Sequence, residues 1–219
     1  MKAAGWAAVG AVVAIANLPL FQPHLRGEAV ASVPGPSFDD SFERAEVGPD
    51  WGPVGSAWAI RDGDLWGAGT RNDPLWLRMR LPRDVAVEFT ARSETATGSR
   101  PGDIKFEIFG NGREHASGYV LVFGGWGNSL STIARLDEHG AGRVERSDRK
   151  VEIGRNYRMR VERRGTTLRW LVDGEEFLVL DDPRPLAGPG HDRFGFSSWD
   201  ADLFFDDLRI GPLPGGNGP

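Results

Sequence analysis

Apolar and polar residues alternate with a period of two over much of the chain, and that period predicts antiparallel β-strands with one buried face. In 157–162, Tyr157, Met159 and Val161 share one face while Arg158, Arg160 and Glu162 share the other. Arg164 and Gly165 reverse the chain, Leu168, Trp170 and Val172 make the next buried row, and Asp173-Gly174 supplies the positive φ of a two-residue hairpin. Phe177, Leu178 and Val179 return beside it, and FFDDLRI reads as a last strand. Upstream, Asp62-Gly63 predicts a hairpin between AWAI and LWG. LWLRMRL puts Leu75, Leu77, Met79 and Leu81 opposite Trp76, Arg78 and Arg80, and DVAVEFTARS puts Val85, Val87 and Phe89 opposite Glu88, Thr90 and Arg92.

The middle of the chain departs from this simple pattern. In DIKFEIFG, Ile104, Phe106 and Ile108 face one way and Asp103, Lys105 and Glu107 the other, so the polar face carries both charge signs. GYVLVF is apolar on both faces, as a central strand covered on both sides requires. A glycine-rich loop with Trp126 and Asn128 follows. The next strand is expected to present Arg135 and Asp137 opposite Ala134 and Leu136, and to end at His139.

The N-terminus is of another kind. Lys2 precedes an apolar run over residues 3–13 and two small-x-small sites, which predicts a secretory signal or an uncleaved membrane anchor within 1–31. A short linker, 32–37, leads to a single domain over 38–211, and the Gly/Pro-rich tail 212–219 is expected to be disordered. The protein is thus expected to be secreted or held in the cell envelope.

Composition narrows the function. With 31 acidic against 26 basic residues the net charge is −5, which disfavours nucleic acid as a partner. The 30 glycines and 15 prolines fit many turns and few helices. Absence of cysteine excludes disulfides, thiol nucleophiles and thiolate metal sites. Phosphate loops, dinucleotide-binding glycine fingerprints, Gly-x-Ser-x-Gly elbows and His-Glu-x-x-His motifs are all missing.

The candidate chemistry lies on the polar faces and loops. Glu107 and Asp137 could form an acid/base pair across neighbouring strands, with His139 as an alternative partner; the plainer alternative is an ion pair of Glu107 with Lys105 or Arg135. Trp126 and Trp199 offer rings on which a sugar's C–H face can stack, with Asn128, Arg135, Lys105 and Asp200 to meet its hydroxyls; otherwise both rings are core. His115, His139 and His191 lack metal-ligand spacing and read as solvated loop residues. Arg158, Arg160, Arg163 and Arg164 read as a solvated sheet face.

The succession FDDSF, WAIRDGDLWG, GYVLVFGGW, NYRMRVERRGTTLRWLVDGEEF and FFDDLRI resembles the concanavalin A-like lectin/glucanase superfamily, nearest to bacterial secreted domains of the 3-keto-disaccharide hydrolase type. The resemblance spans 38–210 and implies an all-β, two-sheet antiparallel jelly-roll sandwich whose concave face holds carbohydrate. It also implies a structural Ca²⁺ near the paired chain ends, where Asp39, Asp40, Asp206 and Asp207 stand; turn hydrogen bonding is the other use for these aspartates. Two departures weigh against inherited catalysis. The Glu-x-Asp-x-Glu strand of the laminarinase-type enzymes is missing, and Val120 and Val122 occupy a strand where the keto-disaccharide hydrolases carry polar residues. The sequence therefore favours a carbohydrate-recognising module, with a glycan-cleaving enzyme and a structural or adhesive surface domain as the alternatives.

Overall fold

The computed structural model describes residues 37–52, 57–95 and 101–213. The predicted export segment and linker, except for residue 37, lie outside these residues, as do 214–219. The strands in chain order are β1 (Phe38–Asp40), β2 (Trp51–Gly52), β3 (Trp58–Arg61), β4 (Asp64–Ala68), β5 (Leu75–Leu77), β6 (Val85–Glu94), β7 (Ile104–Gly110) and β8 (Tyr119–Gly124). They continue as β9 (Leu130–Arg135), β10 (Val144–Arg146), β11 (Tyr157–Arg164), β12 (Thr167–Val172), β13 (Glu175–Asp181), β14 (Arg193–Ser197) and β15 (Asp202–Pro212).

Two antiparallel sheets form a jelly-roll sandwich, as expected. The first has the order β13-β12-β11-β6-β15-β4-β3, with β1 added on β15; the second runs β10-β9-β8-β7-β14-β5-β2. Every pairing is antiparallel, and the chain crosses between the sheets repeatedly, so each sheet lends one apolar face to a common core. The aromatic side chains do most of the filling. Phe196 stacks on Phe205 at 4.2 Å between centroids, and Phe89 meets Phe106 edge-on at 4.9 Å, each contact joining one sheet to the other.

The hairpin signals behave as their chemistry requires. Asp62 and Gly63 have φ of 52° and 86°, and Asp173 and Gly174 have 56° and 84°, so both residues of each turn are left-handed. Alternation along β11 buries Tyr157, Met159 and Val161.

Some expectations fail where the chain bends or an inner position is polar. LWLRMRL is a strand only over Leu75–Leu77, because the Arg78 N–H turns to the Asp50 carbonyl (2.8 Å) and the Leu81 N–H to the Asp192 carbonyl (2.8 Å). Trp76, expected on a wet face, is 1% exposed. It lies flat over Gly195 and Gly110, where an added Cβ would sit 2.7 Å and 2.2 Å from its ring. Arg163 does not join the solvated arginine face either. It continues the inner row of β11, is buried, and lies 4.4 Å from the Phe109 ring centroid while donating to the Leu186 carbonyl. The last strand also runs through Gly211 and Pro212, one residue into the expected tail, and Leu213 is buried with its N–H on the Asp84 carbonyl at 3.2 Å.

Candidate functional site

On the face of the seven-stranded sheet turned away from the core, β7 presents Lys105 and Glu107, and β8 presents Val120 and Val122 beside them. Loops rise around this patch and enclose a cleft of about 730 Å³. Lys105, Val122 and Gly124 form its floor. Its walls come from the β4–β5 loop (Asn72), the β6–β7 loop (Asp103), the β8–β9 loop (Trp126), the β9–β10 loop (Glu138, His139) and the β14–β15 loop (Trp199, Asp200).

Left-handed backbone turns aim the wall residues into the cleft, and at Trp126 the turn is one that sequence propensity would not choose. Asn72, Asp103, Trp126 and Asp200 have φ of 57°, 53°, 50° and 56°, all left-handed without being glycine. Such a conformation costs roughly 1–2 kcal/mol for an L-residue, most for a bulky one such as Trp, and survives where neighbouring contacts enforce it. For Trp126 those contacts are visible. Asn128 binds Val151 twice, donating through Nδ2 to its carbonyl and accepting its N–H at Oδ1, both at 2.8 Å. The Ser129 hydroxyl donates to the Trp126 carbonyl at 2.8 Å. On the opposite loop, the Asn72 N–H donates to the Ser198 carbonyl (3.0 Å) and the Asp200 N–H to the Thr70 carbonyl (2.7 Å), which ties two walls together.

Trp126 and Trp199 are 40% and 53% exposed, and both line this one cleft, so neither is core. His139 meets the edge of Trp126 at 5.6 Å, and the Arg143 guanidinium lies 4.9 Å from its ring centroid.

Beneath the rings is a compact charge network. Lys105 Nζ lies 2.9 Å from Glu138 Oε2 and 3.8 Å from Asp103 Oδ1, and donates to Asn72 Oδ1 at 2.8 Å. Asn72 Nδ2 donates to Glu138 Oε1 at 3.2 Å. Burial pushes the Asp103 carboxyl up to about 7, against the pull of Lys105. Glu138 moves the other way, to about 2, because hydrogen bonds and charge from His115 and Lys105 outweigh its burial. Two carboxyls in one cleft are thus held apart in acidity, the arrangement in which one group can carry a proton while the other stays ionised.

Several expected site residues are placed elsewhere by the tertiary structure. Glu107 is fully buried: His115 Nδ1 lies 2.6 Å from its Oε1 and the Ala116 N–H donates to Oε2 at 2.9 Å, so the β7–β8 loop caps it. Burial raises its carboxyl, while the hydrogen bond to Glu107 and the nearby Glu138 carboxylate outweigh burial at His115 and raise that imidazole to about 9. His115 is therefore the largely buried partner of Glu107, not a solvated loop residue. Asp137 is exposed and accepts the His139 N–H at 2.9 Å, with no contact to Glu107. The cause is Leu136, whose φ of 62° breaks the alternation and turns Glu138, not Asp137, into the cleft. Arg135 is on the other face of β9, donating to Asp182 Oδ2 at 2.7 Å. Asn128 has both polar atoms on Val151 and acts as a clamp for the Trp126 turn. Asn72, Asp103 and Glu138 are the polar cleft residues that the sequence did not single out.

The aspartates expected to hold calcium make contacts within the fold. Asp40 has both oxygens engaged, by the Arg44 guanidinium, by Trp51 Nε1 at 2.9 Å and by the Phe42 N–H at 2.9 Å. Asp206 Oδ1 accepts the Asp207 N–H at 2.6 Å, the turn hydrogen bond that was the alternative for these residues, while Asp39 pairs with Arg209 in the β1–β15 ladder. Among the described residues no group of three or more His, Asp or Glu side chains is arranged to hold a metal ion.

No family model and no curated protein matches the chain. Solved structures do match in fold. Carbohydrate-binding module CBM66 from Bacillus subtilis aligns with a TM-score of 0.61 at 16% identity, over 74% of this chain and 95% of that one. The carbohydrate recognition domain of Emp47p aligns at 0.58 and 15%, over 84% and 99%. A prokaryotic β-1,3-1,4-glucanase (lichenase) from a mouse hindgut metagenome aligns at 0.56 and 13%, over 81% and 99%. With two antiparallel sheets in jelly-roll order and these structural neighbours, the chain has the concanavalin A-like jelly-roll fold.

Proposed function

We propose that the protein is an exported carbohydrate-recognising module that binds glycan in the cleft between Trp126 and Trp199. The observation that carries this is the placement of both exposed tryptophans on the walls of one polar-floored cleft. A pyranose has an apolar face of C–H groups and a rim of hydroxyls, so aromatic walls with carboxylate and amide acceptors beneath them suit both of its surfaces. The names of the structural neighbours, a carbohydrate-binding module and a carbohydrate recognition domain among them, support the same class of ligand. The apolar run after Lys2 supports export, by cleaved signal or by membrane tether.

A glycan array identifies the ligand, and titration calorimetry measures it. Trp126→Ala and Trp199→Ala are each expected to weaken binding about tenfold, or ~1.4 kcal/mol. Melting temperature should stay near that of the parent, since both rings are exposed. An unchanged affinity in both variants refutes the assignment.

The split acidity of Asp103 and Glu138 favours a second reading, glycan cleavage with Asp103 as acid and Glu138 as the ionised partner. Release of reducing ends from a bound glycan, lost in Glu138→Gln while binding persists, would establish it. Binding with no such release leaves the module reading alone.

A further inference from the structure

We propose that the cleft selects glycans that carry no carboxylate or sulfate, and seats their hydroxyl or ammonium donors on Asp103 and Asp200. This rests on the carbohydrate reading and names its ligand class.

The side chains around the cleft offer acceptors and withhold cations. Lys105 is the one lysine or arginine among the described residues that line it. Its ammonium is already spent on Asn72, Glu138 and Asp103, and its side chain is 3% exposed, so a ligand anion cannot reach it without breaking those contacts. Of the arginines at the rim, Arg143 is committed, while Arg71 is exposed and held by one loose contact. Arg71 reaches toward Asp200 at 3.9 Å, and Arg143 lies on the Trp126 ring, donating to the Glu138 carbonyl at 2.8 Å and pairing with Glu145.

The carboxylates, in contrast, have capacity to spare. Asp103 Oδ2 is buried with no hydrogen-bond partner, which is costly for a carboxyl unless a donor arrives from the cleft. The rest of the carboxyl has the longer contact of Oδ1 to Lys105 and the Trp199 backbone N–H. Asp200 has a side chain 61% exposed and one loose partner, so it too can accept from a ligand. A uronate or sulfate entering here would meet the carboxyls of Asp200, Glu138 and Asp103 against one exposed rim cation among the described residues, Arg71, which itself faces Asp200, a repulsive balance of the kind that sets specificity. A hydroxyl-rich or amino-bearing sugar meets the same groups as hydrogen-bond acceptors, and an ammonium gains charge attraction in addition.

The test is a panel of oligosaccharides of matched length in three charge classes, titrated against the full chain at pH 6 and low salt: chitosan oligomers, neutral β-glucan and xylan oligomers, and oligouronates. Hits are expected among the neutral and cationic members, with oligouronates bound at least tenfold more weakly. Asp200→Asn, a change at an exposed site, should narrow that gap severalfold, and Asp103→Asn should narrow it further when the titration is repeated at pH 8, where the Asp103 carboxyl, raised by burial to about 7, is ionised. Oligouronates that bind as tightly as the neutral class, or a gap that neither variant moves, overturn the selectivity while leaving carbohydrate binding intact. Binding to none of the three classes overturns the carbohydrate reading and this inference with it.

Discussion

His115 Nδ1 lies 2.6 Å from Glu107 Oε1, and that contact seals the one glutamate on the polar face of β7 away from the cleft. Glu107→Gln should therefore act on stability before it acts on ligand. Removing one member of a buried ion pair strands the other, at about 3–5 kcal/mol. Chemical denaturation should show a loss of that order, while affinity for a cleft ligand stays within about twofold in the fraction that remains folded. A large fall in affinity with stability unchanged would place Glu107 in the binding surface instead.

The same network predicts how stability depends on pH. The His115 imidazole is raised from 6.5 to about 9 in the folded protein, so the stability it contributes is complete below 6.5 and lost as pH rises through 9. The shift corresponds to about 3 kcal/mol. Asp103, raised from 3.8 to about 7, binds a proton more tightly folded than unfolded, so its ionisation also lowers stability as pH climbs from 4 toward 7. Glu138 has the opposite sign: lowered from 4.5 to about 2, it contributes stability above 4.5 that is lost as pH falls through 2. Thermal melts from pH 6 to pH 9.5 should show a falling Tm, and His115→Gln should flatten that slope. A variant that keeps the parent's slope would assign the alkaline loss to other groups.

Gly195 and Gly110 exist as the bed for Trp76. A methyl at Gly195 would lie 2.7 Å from the indole and one at Gly110 2.2 Å from it, so Gly195→Ala and Gly110→Ala should each destabilise by about 1–3 kcal/mol. Pairing Gly195→Ala with Trp76→Leu should recover part of the loss in denaturant titrations. An additive double variant would show that the ring can move aside without strain.

Local chemistry made much of the architecture legible. Period-two alternation marks β6, β7, β11 and β12, and Asp-Gly at 62–63 and 173–174 marks two hairpins, because both signals depend only on residues adjacent in the chain. GYVLVF, apolar on both faces, is the strand β8, buried along its length between β7 and β9. Trp126 and Trp199 were legible as candidate sugar platforms with core packing as the alternative, and their exposure excludes the core.

What the chain's own order determined was therefore the sandwich, its hairpins, the polar face of β7 and the two tryptophans. Which polar groups share the cleft was decided only by tertiary structure. A left-handed Leu136 swaps Asp137 for Glu138, a loop laid back over β7 removes Glu107 from reach, and the opposite face of β9 claims Arg135. Alternation assigns a side chain to a face while the strand lasts. It carries no information past a left-handed bend, and none about what a distant loop will place on top, because those contacts join residues far apart in sequence.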